Sequence, residues 1–180
     1  RDEQFSQFSI FRKGHSRTAF NTISGTCDLA GEQVPLYMGD YLYKVTSGSG
    51  KNRRTKTYRL SYLIAGLPYP NVPKFLIRPE NLFDKFVGVI GFDDIDFESA
   101  EFSRKFHVSS QDKRFAYDLI DPRMMEFLID EKSVALDMES GYVCLLLGTR
   151  RWPVEDFILR MQWLGSFFEH WPRHLVKSLR

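Results

Sequence analysis

The chain has 180 residues, 43% hydrophobic, 15% aromatic and 27% charged. That composition excludes a disordered or collagen-like chain, and the length is enough to bury a core without a disulfide or metal staple. Lys and Arg number 25 against 23 Asp and Glu, so a net charge of +2 excludes a general attraction to nucleic acid and leaves the work to local patches.

Phe5, Phe8 and Phe11 recur at spacing three before Gly14 and predict a short helical arm with one apolar face. From Thr18 to Ile64 the period changes to two, predicting strands over residues 19–29, 33–46 and 55–65. Their half-polar alternation suits antiparallel strands with one covered face. The glycine-rich and then basic stretch 47–54 reads as the tip of a long hairpin. Three prolines in residues 67–73 end the strand pattern there. A short strand over 74–78, a short helix over 81–89 and alternating segments over 94–98 and 101–109 follow.

Ser110 or Asp112 caps a helix carrying Phe115, Ala116, Leu119 and Ile120, and Asp121-Pro122 starts another with Met124, Met125, Leu128 and Ile129. Residues 133–138 and 142–148 read as a hairpin whose second strand is buried on both faces. Between Pro153 and Pro172 the apolar residues Val154, Phe157, Ile158, Met161, Leu164, Phe167, Phe168 and Trp171 share helical spacing. The expected fold is therefore one soluble α+β domain: antiparallel sheets, a helical hairpin-like insertion, and a long C-terminal amphipathic helix packed on the sheet. The competing reading of that helix is a membrane-surface or partner-binding element flanked by Arg150, Arg151 and Arg173. Its mixed polar face, with Glu155, Asp156, Arg160, Gln162 and Glu169, favours packing.

Among chemical constellations, Asp94, Asp96 and Glu98 in the acidic stretch 93–101 would project from one face of a strand and could bridge a hard cation. This is the basis of a metal-dependent hydrolase reading, with His107 nearby. The spacing lacks the glycine and glutamate of a calcium loop, and a solvated or Arg-paired face is preferred. Lys51, Arg53, Arg54 and Lys56, followed by Arg59, concentrate positive charge at the hairpin tip. Anionic lipid attracts such a segment by about 1 kcal/mol per basic residue, and nucleic-acid phosphate ranks as the weaker partner. A solvated tip that blocks edge pairing is the plain alternative.

His170 and His174 are separated by Pro172, no H-E-x-x-H occurs, and His107 reads as a hydrogen-bonded structural histidine. Ser47-Gly-Ser-Gly-Lys51 lacks the spacing of a phosphate-binding loop. Cys27 and Cys144 belong to no metal-binding cluster and read as buried free thiols. No catalytic residue and no cofactor is assigned. Residues 142–147, the longest apolar run, reach about a third of the ~20 residues a spanning helix needs. Arg1 is not an initiator and no signal pattern follows it, so the chain reads as a fragment of a longer protein.

The stretch from Asp94 to Val108 contains Glu98-Ser99 and Phe102, Arg104, Phe106 and Val108 in alternation. It is followed by Asp112, Phe115-Ala116, Leu119 and the run Pro122 to Glu126. Together these resemble a family of uncharacterised bacterial proteins. Gly39 to Tyr43 and Leu67-Pro68 look similar as well, extending the resemblance over residues 19–129. The resemblance implies a soluble domain carried after one or more N-terminal hydrophobic helices, hence membrane association through a segment outside this chain. It implies no activity and passes on no catalytic role. Phe102, Phe106 and Val108 are then expected on one strand face, with Glu98 or Glu101 pairing with Arg104. The expected function is a non-catalytic binding or assembly domain of a bacterial membrane-associated protein, with an anionic membrane surface or a protein as partner.

Overall fold

Ala30 and Gly31 both adopt positive φ, 54° and 82°. This two-residue turn matches the right-handed twist of the strands it joins. It folds β1 (His15–Leu29) back onto β2 (Glu32–Ser47), with the Asp28 carboxylate accepting from the Gly31 N–H at 3.0 Å. In this computed structural model, which describes residues 4–82, 94–131 and 134–180, β2 then pairs with β3 (Arg54–Gly66) in unbroken register from Leu36↔Ala65 to Ser47↔Arg54. Gly48 at the tip has φ +80°, and a Cβ there would stand 2.3 Å from the Asn52 carbonyl oxygen, so the turn requires glycine.

Four short strands extend the sheet: β4 (Phe75–Pro79), β5 (Phe106–Ser110), β6 (Ala135–Glu139) and β7 (Tyr142–Leu146). The seven strands run in the order β1-β2-β3-β7-β6-β4-β5, and every pairing is antiparallel. The α+β class is thus realised as one continuous sheet. Among the described residues there are five α-helices: α1 (Ala100–Lys105), α2 (Lys113–Leu119), α3 (Pro122–Asp130), α4 (Val154–Glu169) and α5 (Arg173–Leu179). Asp112 and Asp121 cap α2 and α3 by accepting from the N–H groups of Phe115 and Met124.

Side chains alternate between two unequally covered faces. On the helical face, Leu63, Phe75, Ile77, Val108, Leu136 and Leu145 form one core with Phe115, Met124, Leu164, Phe167 and Phe168. On the other, Tyr41, Tyr43, Leu60, Tyr62, Ile64 and Cys144 pack under Phe8, Ile10 and Phe11 of the N-terminal arm.

Several sequence expectations are corrected here. The arm is a run of turns ending in one 3₁₀ turn, Ser9–Arg12, rather than an amphipathic helix, because its phenylalanines lie against the sheet edge-on to Tyr37, Tyr41 and Tyr62. β1 does not have one covered face: of its 15 residues only Leu29 is buried. Cys27 is correspondingly only partly buried, and both cysteines are free thiols.

Residues 94–98 form no strand beyond an isolated bridge from Asp94 to Ser109, since the Ser103 hydroxyl takes both the N–H and the C=O of Phe97. The first half of the expected strand 101–109 is α1, started by Ser99 capping the Phe102 N–H and steadied by a 2.6 Å pair from Lys105 to Glu101. Arg104 consequently turns to the Ala100 carbonyl instead of pairing with Glu98 or Glu101. Of the helix expected over 81–89, Glu80–Leu82 is a 3₁₀ turn and residues 83–89 lie outside those described. On α4 the stripe divides: Phe167 and Phe168 are buried, whereas Val154 and Ile158 are 71% and 51% exposed.

That division sets different costs for truncation. Phe167→Ala is expected to lose about 3–5 kcal/mol of unfolding free energy, the range for a phenylalanine removed from a closed core. Phe157→Ala, at a half-buried ring tilted against Trp152, should lose less than half as much. Urea unfolding of the two variants checks the order.

Candidate binding surface

Beyond the point where β7 stops pairing with β3 at Tyr62↔Leu146, residues 54–60 of β3 pair only with β2. The ribbon therefore projects seven residues, roughly 20 Å at strand rise. β1 runs alongside it to His15↔Lys44. Residues 9–26 and 39–62, which build this end of the sheet, contain nine Lys and Arg and a single acid, Asp40. Lys51, Arg53, Arg54, Lys56 and Arg59 are all exposed, and among the described residues none of the five is ion-paired. Lys56 lies 4.9 Å over the Tyr58 ring, which stacks at 5.0 Å on Tyr43. The projecting tip thus has a semi-rigid aromatic base.

Asp40 contributes nothing negative to that surface. It is buried in β2 and receives hydrogen bonds from Ser61 Oγ at 2.5 Å, Asn21 Nδ2 at 2.9 Å, and Arg151 Nε and Nη2 at 2.9 and 2.6 Å. Burial pushes its carboxyl up, but donation from Ser61, Asn21 and Arg151 outweighs burial and leaves the pKa below the ordinary value. Ser61 in turn accepts from the Trp152 N–H at 2.8 Å, and its own N–H donates to the Arg150 carbonyl at 3.0 Å. This network was not anticipated from the sequence. Asp40 alternates with tyrosines as any solvent-facing residue would, and its partners come from positions 19, 21 and 111 residues away.

On the arm face a cleft of about 530 Å³ opens between the arm and β1, walled by Phe5, Phe11, Tyr37, Tyr41 and Tyr62, with no charged residue in its lining. The Tyr41 hydroxyl donates to the Phe11 carbonyl and fastens the arm. Burial raises the Tyr62 hydroxyl to about 12, so it remains a donor at neutral pH.

Farther along the same face, Arg78 of β4 approaches Asp137 of β6 at 3.9 Å, and Lys74 pairs with Glu139 at 3.0 Å. Burial raises Asp137 to about 6; Glu139 adds to the shift while Arg78 and Lys74 oppose it.

Among the described residues Asp94, Asp96 and Glu98 do not converge on one point. Asp94 pairs with the His107 ring, Asp96 and Glu98 are exposed on a segment without strand geometry, and Asp93 lies outside the described residues. Among the described residues no three His, Cys, Asp or Glu side chains converge as metal ligands. Burial lowers the His107 pKa, with Asp94 opposing, and the Asp94 contact fits the structural role expected of that histidine. Among the described residues no helix is long and apolar enough to cross a membrane.

No family model and no curated protein matches the chain. Among solved structures, the fold is shared with the mycobacterial trehalose monomycolate transport factor A. The two superpose with a TM-score of 0.59 at 12% identity, over 89% of this chain and 76% of that one. At that identity the likeness is one of fold.

The Asp137 environment gives a pH dependence of definite sign. Its folded-state pKa, about 6, lies above the unfolded value near 3.9, so the folded state holds the extra proton. The associated stability is full below about pH 4 and lost as pH rises through about 6. Urea unfolding across that window should show this fall in the parent and a flatter profile in Asp137→Asn.

Proposed function

We propose that this is a non-catalytic binding domain of a membrane-associated protein, and that it meets anionic membrane surfaces through the positive end of its β1-β2-β3 sheet. The observation that carries this reading is the segregation of nine basic residues against one neutralised acid at the end of the sheet from which the ribbon projects, with Lys51, Arg53, Arg54, Lys56 and Arg59 on the ribbon itself. Near an anionic bilayer each such residue contributes about 1 kcal/mol. The ribbon gathers Lys51 and Arg53 of its closing turn beside Arg54 and Lys56 of β3, so the four charges meet a surface together. A lipid surface suits the geometry better than a duplex, because the charges sit at a blunt tip and not along a groove-sized helix or sheet face. The shared fold with a protein named for trehalose monomycolate transport supports a non-catalytic role. So does the resemblance over residues 19–129 to bacterial proteins whose soluble domain follows hydrophobic helices. Under this reading the anchoring segment belongs to the longer protein.

Co-sedimentation with vesicles of neutral lipid, and of neutral lipid mixed with an anionic one, tests the proposal at low and physiological salt. Binding should require the anionic lipid and weaken with salt. A variant with Lys51, Arg53, Arg54 and Lys56 all changed to Gln should lose at least about tenfold in partitioning, with a ceiling on the order of 1,000-fold from four charges. Equal binding by parent and variant would dismiss the ribbon. Capture of a mixed-sequence oligonucleotide in place of vesicles would assign it to nucleic acid.

A further inference from the structure

From Ile23 to Cys27 the long edge strand of this sheet is unguarded. β1 forms one end of the strand order, so one side of its backbone has no partner among the described strands. Proteins normally protect such an edge with charge, proline, brevity or a cover. Residues 18–27 contain no charged residue and no proline, and the strand runs for 15 residues with almost no burial. Its irregularities, with Ser16 and Asn21 at positive φ, fall before Ile23. From Ile23↔Met38 to Leu29↔Glu32 the ladder is regular.

A second observation falls at the same place. Five large apolar side chains are exposed among the described residues; one of them, Ile23, is on β1 and three, Val154, Ile158 and Leu159, are on the first half of α4. This half of α4 overhangs the edge. Ile158 and Met161 line a cavity of about 330 Å³ with Cys27 and Leu29. With Val154 they line another of about 360 Å³ together with Ile23 and Met38. The Arg151 and Trp152 bonds to Asp40 and Ser61 fix the start of the helix there. A free ladder edge and an apolar helix flank therefore open in the same direction.

We propose that this side of the molecule is a two-fold interface with a second copy of the chain, in which the β1 edges pair antiparallel and the first halves of the two α4 helices meet across the axis. Charge favours a second copy. β1 is basic at its start, where Arg17 follows the His15↔Lys44 pair, and acidic at its end, where Asp28 precedes the Leu29↔Glu32 pair. With the two-fold axis at Ile23, where Val154 and Ile158 also lie, an antiparallel arrangement carries each Arg17 end towards the Asp28 and Glu32 end of the other copy. Two-fold pairing is also closed: it uses up both long edges and leaves none for a third copy. Burying Ile23, Val154, Ile158 and Leu159 removes the largest exposed apolar group from water at the same time.

Sedimentation equilibrium of the parent chain at concentrations up to about 100 µM tests this, alongside two variants. The first, Ser24→Lys with Thr26→Lys, places cations on the exposed edge. The second, Ile158→Glu with Leu159→Glu, places carboxylates on the helix flank. All four positions are exposed, so both variants should keep the parent's circular dichroism. The parent should sediment as two copies, and each variant should weaken association at least about tenfold. A parent of one copy throughout, a mass above two copies, or a dimer that survives either variant at parental affinity overturns the proposal. The outcome is independent of vesicle binding, because sedimentation is measured without lipid and neither variant alters Lys51, Arg53, Arg54 or Lys56.

Discussion

The Asp40 carboxylate is the interaction on which the working surfaces of this protein depend. It sits in β2 between Asn21 of β1 and Ser61 of β3, and takes both Nε and Nη2 of Arg151 from the chain leading into α4. A buried carboxylate without partners would carry a large desolvation cost, whereas four donors and a cation satisfy it. Two consequences follow from one group. The only acid in the segments forming the basic end is neutralised internally, so the ribbon presents positive charge alone. The chain entering α4 is also tied to β2 and β3 through Arg151 and Trp152, beside the cavities that α4 lines with β1.

A second constraint is the mismatch between the sheet and what covers it. β4 to β7 are five residues each and buried on the helical side by α1 to α5. β1 to β3 are 13 to 16 residues long and outrun that layer. The surplus strand length is where every candidate surface lies: the basic tip, the aromatic cleft beneath the arm, and the exposed edge. Paired strands hold the aromatic cleft and the exposed edge more rigidly than loops would, which suits binding that does not depend on ordering the site first.

The acidic stretch shows how local reading misleads when side chains compete for backbone bonds. Asp94, Asp96 and Glu98 have the spacing of one strand face, yet Ser99 and Ser103 divert the backbone groups of Phe97 and Phe102 into a cap and a turn. Phe102 then reaches the core from a helix, stacked on Phe106 at 5.0 Å. The same apolar residues are buried as alternation would bury them, but from a different backbone conformation. Short segments of this kind satisfy both periods, so only packing separates them.

What the sequence by itself determined are the features written in short range. Period-two patterning specified the long hairpins, aspartates and Asp-Pro specified the caps of α2 and α3, and the cluster from Lys51 to Lys56 marked the basic tip. Each depends on neighbours within a few residues, and backbone sterics or hydrogen bonding reads them directly. Tertiary structure alone decided which strands join, which faces are covered, and which of the chain's charges meet. Nothing local distinguishes Asp40 from a solvated aspartate, or the covered strand β3 from the exposed strand β1, because the difference lies in partners such as Arg151, 111 residues away. Burial is a property of what packs on top, and the sequence around a strand does not contain it.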